Sequence, residues 1–175
     1  MKTPILETDR LILRPFCMED VQEIFECWES DPDVSKYMFW TSHNDINKTI
    51  CWVKKELSKI GADDWYRWAI LSKTTGELLG AGLIYVEEEY SKFEIAYNLS
   101  KKAWGFGYTT EAMQEIIKFA KEKLRIKDIM GRHAKENPAS GNILEKLGFT
   151  YIKDIQYECN RGRNIYEGKE YILNL

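Results

Sequence analysis

Phe93-Glu94-Ile95-Ala96-Tyr97-Asn98-Leu99, followed by Lys102-Ala103-Trp104-Gly105-Phe106-Gly107-Tyr108-Thr109-Thr110-Glu111-Ala112, is the stretch that decides the fold. The first seven residues read as a strand, and regular alternation puts Glu94, Ala96 and Asn98 on one face, away from Phe93 and Ile95. A helix opens at Thr109-Thr110-Glu111, with Met113, Ile116, Ile117, Ala120 and Leu124 on its inward face. Glu111 in the first turn and Lys121, Lys123 and Arg125 in the last suit the helix dipole. Between strand and helix lies Gly105-Phe106-Gly107. Glycine permits positive φ and close backbone approach, and the first amides of a helix are unpaired. Strand, glycine loop and helix together make an anion cradle suited to a phosphate or pyrophosphate, to which Lys102 adds a point charge. An ordinary tight turn has the same spelling. A dinucleotide fingerprint fails because Thr110 occupies its third small-residue place, and no GxxxxGK[ST] P-loop is present.

Outward from this loop, Leu11–Phe16 reads as an early strand and Met18-Glu19-Asp20 opens a helix carrying Val21, Ile24, Phe25 and Trp28. Asp31-Pro32 interrupts it. A second helix from about Asn44 puts Ile46, Ile50, Val53, Leu57 and Ile60 on one face, with Gly61 as its cap. Tyr66–Leu71, a turn at Thr74–Glu77 and Leu78–Val86 form a hairpin, and Glu87-Glu88-Glu89 reads as a solvated loop. Beyond the central helix, Ile129–Arg132 is a strand. Asn137-Pro138 caps a last helix that Gly148 ends, and two strands close the chain around Thr150–Ile155 and Tyr166–Leu173. The order β-αα-βββ-α-β-α-ββ predicts one α+β domain over residues 1–175, with a mostly antiparallel sheet of about seven strands.

Composition narrows the partners. The 175 residues carry 25 Lys plus Arg against 28 Asp plus Glu, a net charge of −3, without the basic face that non-specific nucleic-acid binding needs. Cys17, Cys27, Cys51 and Cys159 are scattered, and His43 and His133 are the only histidines, so neither a metal site nor a disulfide framework is expected. No apolar run approaches the roughly 20 residues of a membrane span, and the N-terminal residues lack a signal-peptide core. A reduced, cytoplasmic setting away from membranes is the expectation.

Three blocks in order carry a family resemblance. They are Thr8-Asp9-Arg10-Leu11-Ile12-Leu13-Arg14, Trp104 to Ala112, and Asn137-Pro138-Ala139-Ser140 through Glu145-Lys146-Leu147-Gly148-Phe149. Together they resemble the GCN5-related N-acetyltransferases (GNAT), in the branch of the RimJ/RimL-like ribosomal-protein N-terminal acetyltransferases. The resemblance implies the GNAT fold, with acetyl-CoA bound where the fourth and fifth strands splay apart. It implies that backbone groups of Tyr97, Asn98 and Leu99 hold the pantetheine arm, and that Lys102, Trp104, Gly105, Phe106, Gly107, Tyr108 and Thr109 form the pyrophosphate loop. Lysine stands where the family has Arg or Gln. Asn137 matches the asparagine that contacts the CoA arm. The tyrosine many members place on the last helix is replaced by Leu144, so Ser140 of the Asn-x-x-Ser pattern is the proton donor the resemblance suggests; a first-turn hydroxyl bonded to backbone is the other reading.

Acyl transfer from a thioester needs a neutral amine, a polarised carbonyl and a thiolate that leaves. Glu94, on the strand that enters the cofactor loop, is the candidate base, or else a solvent-facing strand residue. An α-amine of pKa ~7.7–8.0 asks less of a base than a lysine of ~10.4, which favours a protein N-terminus or another low-pKa amine, including small amines. Trp28, Tyr37, Phe39 and Trp40 crowd the link between the early helices, with Asp31 and Asp33 nearby, and could receive a cationic amine. A core corner or a homodimer patch suits the same aromatics equally. Asn160-Arg161-Gly162-Arg163-Asn164 reads as a hairpin tip, solvated or guiding an acidic acceptor. Direct transfer is expected, since no cysteine lies in a nucleophile motif. The alternative is a CoA-binding regulatory domain without catalysis.

Overall fold

A computed structural model of the chain describes residues Met1 to Leu175. The strands are β1 (Leu6–Glu7), β2 (Leu11–Arg14), β3 (Trp65–Ser72), β4 (Leu78–Glu87), β5 (Lys92–Leu99), β6 (Asp128–Ala134), β7 (Thr150–Cys159) and β8 (Asn164–Asn174). They form one sheet in the order β1-β2-β3-β4-β5-β6-β8-β7. Every neighbouring pair is antiparallel except β5 and β6. The GNAT-type architecture read from the sequence is present, with one strand more than expected. The extra strand, β1, is two residues long and too short to show a period.

The helices are α1 (Val21–Ile24), α2 (Pro32–Ser35), α3 (Ile46–Ser58), α4 (Tyr108–Phe119) and α5 (Pro138–Lys146). A 3-10 turn, Met18–Asp20, leads into α1 and a π turn, Phe25–Glu29, leads out of it. Asp31-Pro32 does not simply break the first helix. The Asp31 carboxylate accepts from Asp33 N at 2.8 Å and Pro32 takes the first helical position, so the pair starts α2.

Each face of the sheet buries its own core. On one face Met113, Ile116 and Phe119 of α4 pack against Trp68, Ile70 and Ile84. On the other, Ile24, Trp28 and Val53 cover Ala69, Leu78 and Ala81. A Cβ at Gly82 would lie 2.6 Å from Ile116 Cδ1, so α4 rests on bare backbone there. Register shifts between Ile70 and Leu71, which pair with Gly80 and Leu78, leaving Leu79 as a bulge in β4. Bulges bend a strand and strengthen its local twist. This one lies beside the end of β5, where a Cβ at Gly80 would come within 2.2 Å of Asn98 O.

The feature that positions the site is the short β5–β6 pairing. It covers only Phe93 with Ile129 and Glu94 with Met130, and beyond Glu94 the two parallel strands part.

Candidate active site

The gap that opens beyond Glu94 exposes one edge of β5. Ser100 N bonds Leu79 O at 2.8 Å, and the β4–β5 register runs without a slip from Leu99 back to Lys92. Antiparallel pairing alternates, so Asn98 and Ala96 turn their backbone groups to β4 while Tyr97 and Leu99 turn theirs to the gap. Of the three backbone positions expected to hold a pantetheine arm, Asn98 is therefore committed to the sheet. Leu99 O is also taken, by Trp104 Nε1 at 2.9 Å. Tyr97 N–H and C=O and Leu99 N–H remain. The Asn98 side chain lies on the opposite face with its Nδ2 buried and unpartnered, and Ser100 Oγ beside it is likewise unpartnered. Buried polar groups without partners are rare, and these two flank the gap.

At its far end β5 runs through a 3-10 turn, Lys101–Ala103, into the glycine loop. Gly105 (φ 83°) and Gly107 (φ 78°) are both left-handed, which explains the residue type at each. A Cβ on Gly105 would meet no atom within 4 Å, so open space faces it. Trp104 N bonds Lys101 O, and the next amide with an acceptor is Glu111 N, on Gly107 O at 3.1 Å. The amides of Gly105, Phe106, Gly107, Tyr108, Thr109 and Thr110 have no acceptor in the protein. This run of bare donors at a helix N-terminus suits a diphosphate. Lys102 adds less than its position suggested, because its Nζ is paired with Glu77 Oε1 at 3.1 Å, on the β3–β4 turn.

Across the gap stands the first turn of α5. Asn137 caps it, its Oδ1 3.4 Å from Ser140 N, and Ser140 Oγ lies 3.0 Å from the hydroxyl of Tyr97. That phenol also donates to Ser140 O at 3.1 Å. Burial holds the Tyr97 phenol well above its ordinary pKa, against the opposing hydrogen bond of Ser140, so it stays protonated. Leu144, in the slot of the missing tyrosine, is fully buried, its methyls within 3.3 Å of where a Gly131 Cβ would be. A hydroxyl at 144 would face core. The phenol that reaches the gap comes from β5 instead, a pairing that local sequence could not reveal.

Glu94 is buried rather than solvent-facing. Arg132 bonds both its oxygens, Nε to Oε1 at 2.9 Å and Nη2 to Oε2 at 2.5 Å, and Tyr85 donates to Oε2 at 2.9 Å. Arg132 Nη2 also reaches Glu87 Oε2 at 2.9 Å, so Glu87 ends β4 as an ion-pair partner instead of opening a solvated loop. Burial would lower the Arg132 pKa, but the hydrogen bonds and charge of Glu94 outweigh it and raise it above the ordinary guanidinium value. Burial, then the charge of Glu94, likewise raises the Tyr85 phenol. Of the carboxylate's roughly four lone-pair sites three are filled, leaving one on Oε1.

Ala96, on the Glu94 face, is exposed although it lies mid-sheet, which marks an opening there. The closing hairpin borders it. Burial, followed by the charges of Cys159 and Glu94, raises the Tyr157 phenol, on which Arg132 and Tyr97 also act; its hydroxyl is 3.5 Å from Tyr37 O. Tyr37 packs edge-on against Tyr166 at 5.4 Å. Of the expected acceptor aromatics, Tyr37 is half-buried against this hairpin, whereas the half-buried Trp40 packs against the core that holds Trp28. Trp28 is a correction: at 2% exposure it belongs to the core under α1, and no substrate reaches it. The hairpin tip also differs from expectation. Asn160 is buried, its Nδ2 donating to Ser35 O (3.0 Å) and Trp40 O (2.8 Å), while Arg161 and Arg163 are exposed.

Comparison with known proteins agrees with this geometry. The family described as Acetyltransferase (GNAT) domain matches residues 10–150. An uncharacterised N-acetyltransferase of Bacillus licheniformis, p20, is 32% identical over 166 residues, 91% of this chain and 90% of that protein. Among solved structures, the RimL ribosomal L7/L12 α-N-protein acetyltransferase in complex with coenzyme A superposes with a TM-score of 0.86 at 16% identity, covering 98% of both chains. The microcin C7 self-immunity acetyltransferase MccE, solved with acetyl-CoA and AMP, gives 0.84 at 17% identity over 96% of this chain and 94% of that one. The chain belongs to the GNAT acetyltransferase family and is an enzyme of that class.

Proposed function

We propose that residues 1–175 form a single acetyl-CoA-dependent N-acetyltransferase domain of the RimJ/RimL-like type, transferring acetyl directly to a primary amine. The observation that carries this reading is the run of unpaired amides from Gly105 to Thr110 at the mouth of the β5–β6 gap. Those amides take the diphosphate, the β5 edge at Tyr97 and Leu99 takes the pantetheine arm, and Asn137 borders it on α5. When bound, acetyl-CoA supplies a thioester whose acyl group passes to the amine and whose thiol departs.

The chain's own residues move the protons. Ser140 Oγ, 3.0 Å from the protonated Tyr97 phenol, gives its proton to the departing sulfur as it takes the phenol's proton, and solvent then restores the phenol. A thiol pKa of ~8.5 makes this a modest task, so a hydroxyl pair suffices. Glu94, fixed by Arg132 and Tyr85, keeps one site on Oε1 for a water that takes the amine proton. The opening over Ala96, bordered by the closing hairpin with its Tyr157–Tyr37 contact, admits the acceptor, and a low-pKa α-amine of a protein N-terminus or small molecule fits the single, partly occupied base best. No helix is long and apolar enough to cross a membrane. The four cysteines are free thiols, and a reducing, cytoplasmic location suits them.

Thiol release from acetyl-CoA, followed across a panel of amines and N-terminal peptides, tests the assignment. Turnover on at least one α-amine is expected, with Ser140→Ala and Tyr97→Phe each lowering kcat about 10–100-fold. Tight CoA binding without turnover on any amine would instead identify a binding domain that has lost catalysis.

A further inference from the structure

The Thr8-Asp9-Arg10 segment lies far from the catalytic groups in sequence, yet its side chains close on the glycine loop. Arg10 Nη1 donates to Phe106 O at 3.1 Å, and its Nε donates to Glu111 Oε2 at 2.6 Å. Its guanidinium carbon lies 4.6 Å over the Tyr108 ring, and Nη2 is 3.7 Å from where a Gly107 Cβ would be. Glu111 is fastened from the same segment a second time: Thr8 Oγ1 donates to Oε1 at 2.5 Å and Arg10 N at 2.9 Å. Burial would raise the Glu111 carboxyl, but these bonds outweigh it and hold it below its ordinary pKa.

The consequence follows from peptide geometry. No peptide bond here is cis, so in the Phe106–Gly107 unit the C=O and N–H point to opposite sides. Arg10 holds the carbonyl on the outer side, which turns Gly107 N–H to the inner side. Glycine at φ 78° would otherwise be free to rotate that unit, because its backbone is the most permissive of any residue. Arg10 also neutralises the carboxylate of Glu111, whose charge at the start of α4 would repel an anion there.

We infer that Arg10 is a positioning residue for the donor site: bonded to Phe106 O and Glu111, it aims Gly107 N–H at the diphosphate and silences the acid beside it. The inference rests on the reading that the loop binds that diphosphate. Both can be tested together with two acyl donors, acetyl-CoA and S-acetylpantetheine, which lacks the diphosphate. The wild-type enzyme should show a KM at least about tenfold lower for acetyl-CoA, since charged hydrogen bonds are worth that much or more. Arg10→Gln should raise the acetyl-CoA KM about tenfold while leaving kcat, and the KM for S-acetylpantetheine, unchanged. Arg10→Lys retains a cation for Glu111 but not the two-pronged fork, so it should also raise the acetyl-CoA KM, and it carries the test if Arg10→Gln does not fold. An unchanged acetyl-CoA KM in the folded variant overturns the inference, as does an equal rise for both donors, which would mean general loosening. A wild-type enzyme indifferent to the diphosphate overturns the loop reading itself, and the inference with it.

Discussion

His133 shows how one buried side chain can tie the site to pH. Its Nδ1 lies 2.7 Å from Ala134 O and so carries the proton, and its Nε2 is 3.5 Å from the Tyr171 hydroxyl. The first turn of α5 rests on the ring, since a Gly141 Cβ would fall 2.8 Å from both Cε1 and Nε2. Burial, with the charge of Lys169 adding to it, pulls the His133 pKa below its ordinary value. The unfolded chain therefore binds the proton more readily than the folded one. Stability from the neutral ring is complete above about pH 6.5 and is lost as the pH falls through that value toward the lowered folded pKa, at no more than about 1.4 kcal/mol per pH unit. Urea denaturation between pH 5 and 8 should show a midpoint that falls on the acid side, and His133→Gln should flatten that slope. Ser140, next to Gly141 in the first turn of α5, was legible as a spacing motif. Its partner Tyr97 was not, because the two stand 43 positions apart and come together only across the parting of β5 and β6.

At the scale of elements, the β7–β8 hairpin does more than close the sheet. Asn160 and Arg161 adopt φ of 52° and 58°, which bends the tip so that Asn160 N reaches Met38 O at 2.8 Å and Arg161 N reaches Phe39 O at 2.7 Å. With the Asn160 amide on Ser35 O and Trp40 O, the tip clasps the segment after α2 and fixes Tyr37 at the acceptor rim. Asparagine tolerates the left-handed conformation and supplies two donors at once. Asn160→Ala should leave Trp40 O without its donor, Ser35 O keeping Met38 N, and cost about 1–3 kcal/mol in chemical denaturation. It should also raise the acceptor KM more than the acetyl-CoA KM and speed proteolysis between residues 35 and 43. Sequence alone marked this tip as a turn, since Asn and Gly dominate turns whether or not they are solvated. The helices with long apolar faces, α3 and α4, and the hairpin of β3 and β4 were readable because their periods extend over several turns or pairs. β1 and α2, at two and four residues, carry no period to read.

For the molecule as a whole, a sheet with two separate cores leaves one place where both faces meet the same cleft. That place is the parting of β5 and β6, and the residues that converge on it come from the N-terminal segment, the central strands, α4, α5 and the closing hairpin. The loop and strand order could be inferred from the chain because they are local. The Glu94–Arg132–Glu87 cluster could not, because it depends on β4, β5 and β6 lying side by side. The most direct measurement is a crystal structure of the protein with coenzyme A. Both phosphates should lie within hydrogen-bond reach of the amides between Gly105 and Thr110, with the pantetheine arm along Tyr97 and its sulfur beside Ser140. Coenzyme A bound away from the β5–β6 gap, or loop amides turned onto protein acceptors, would contradict it.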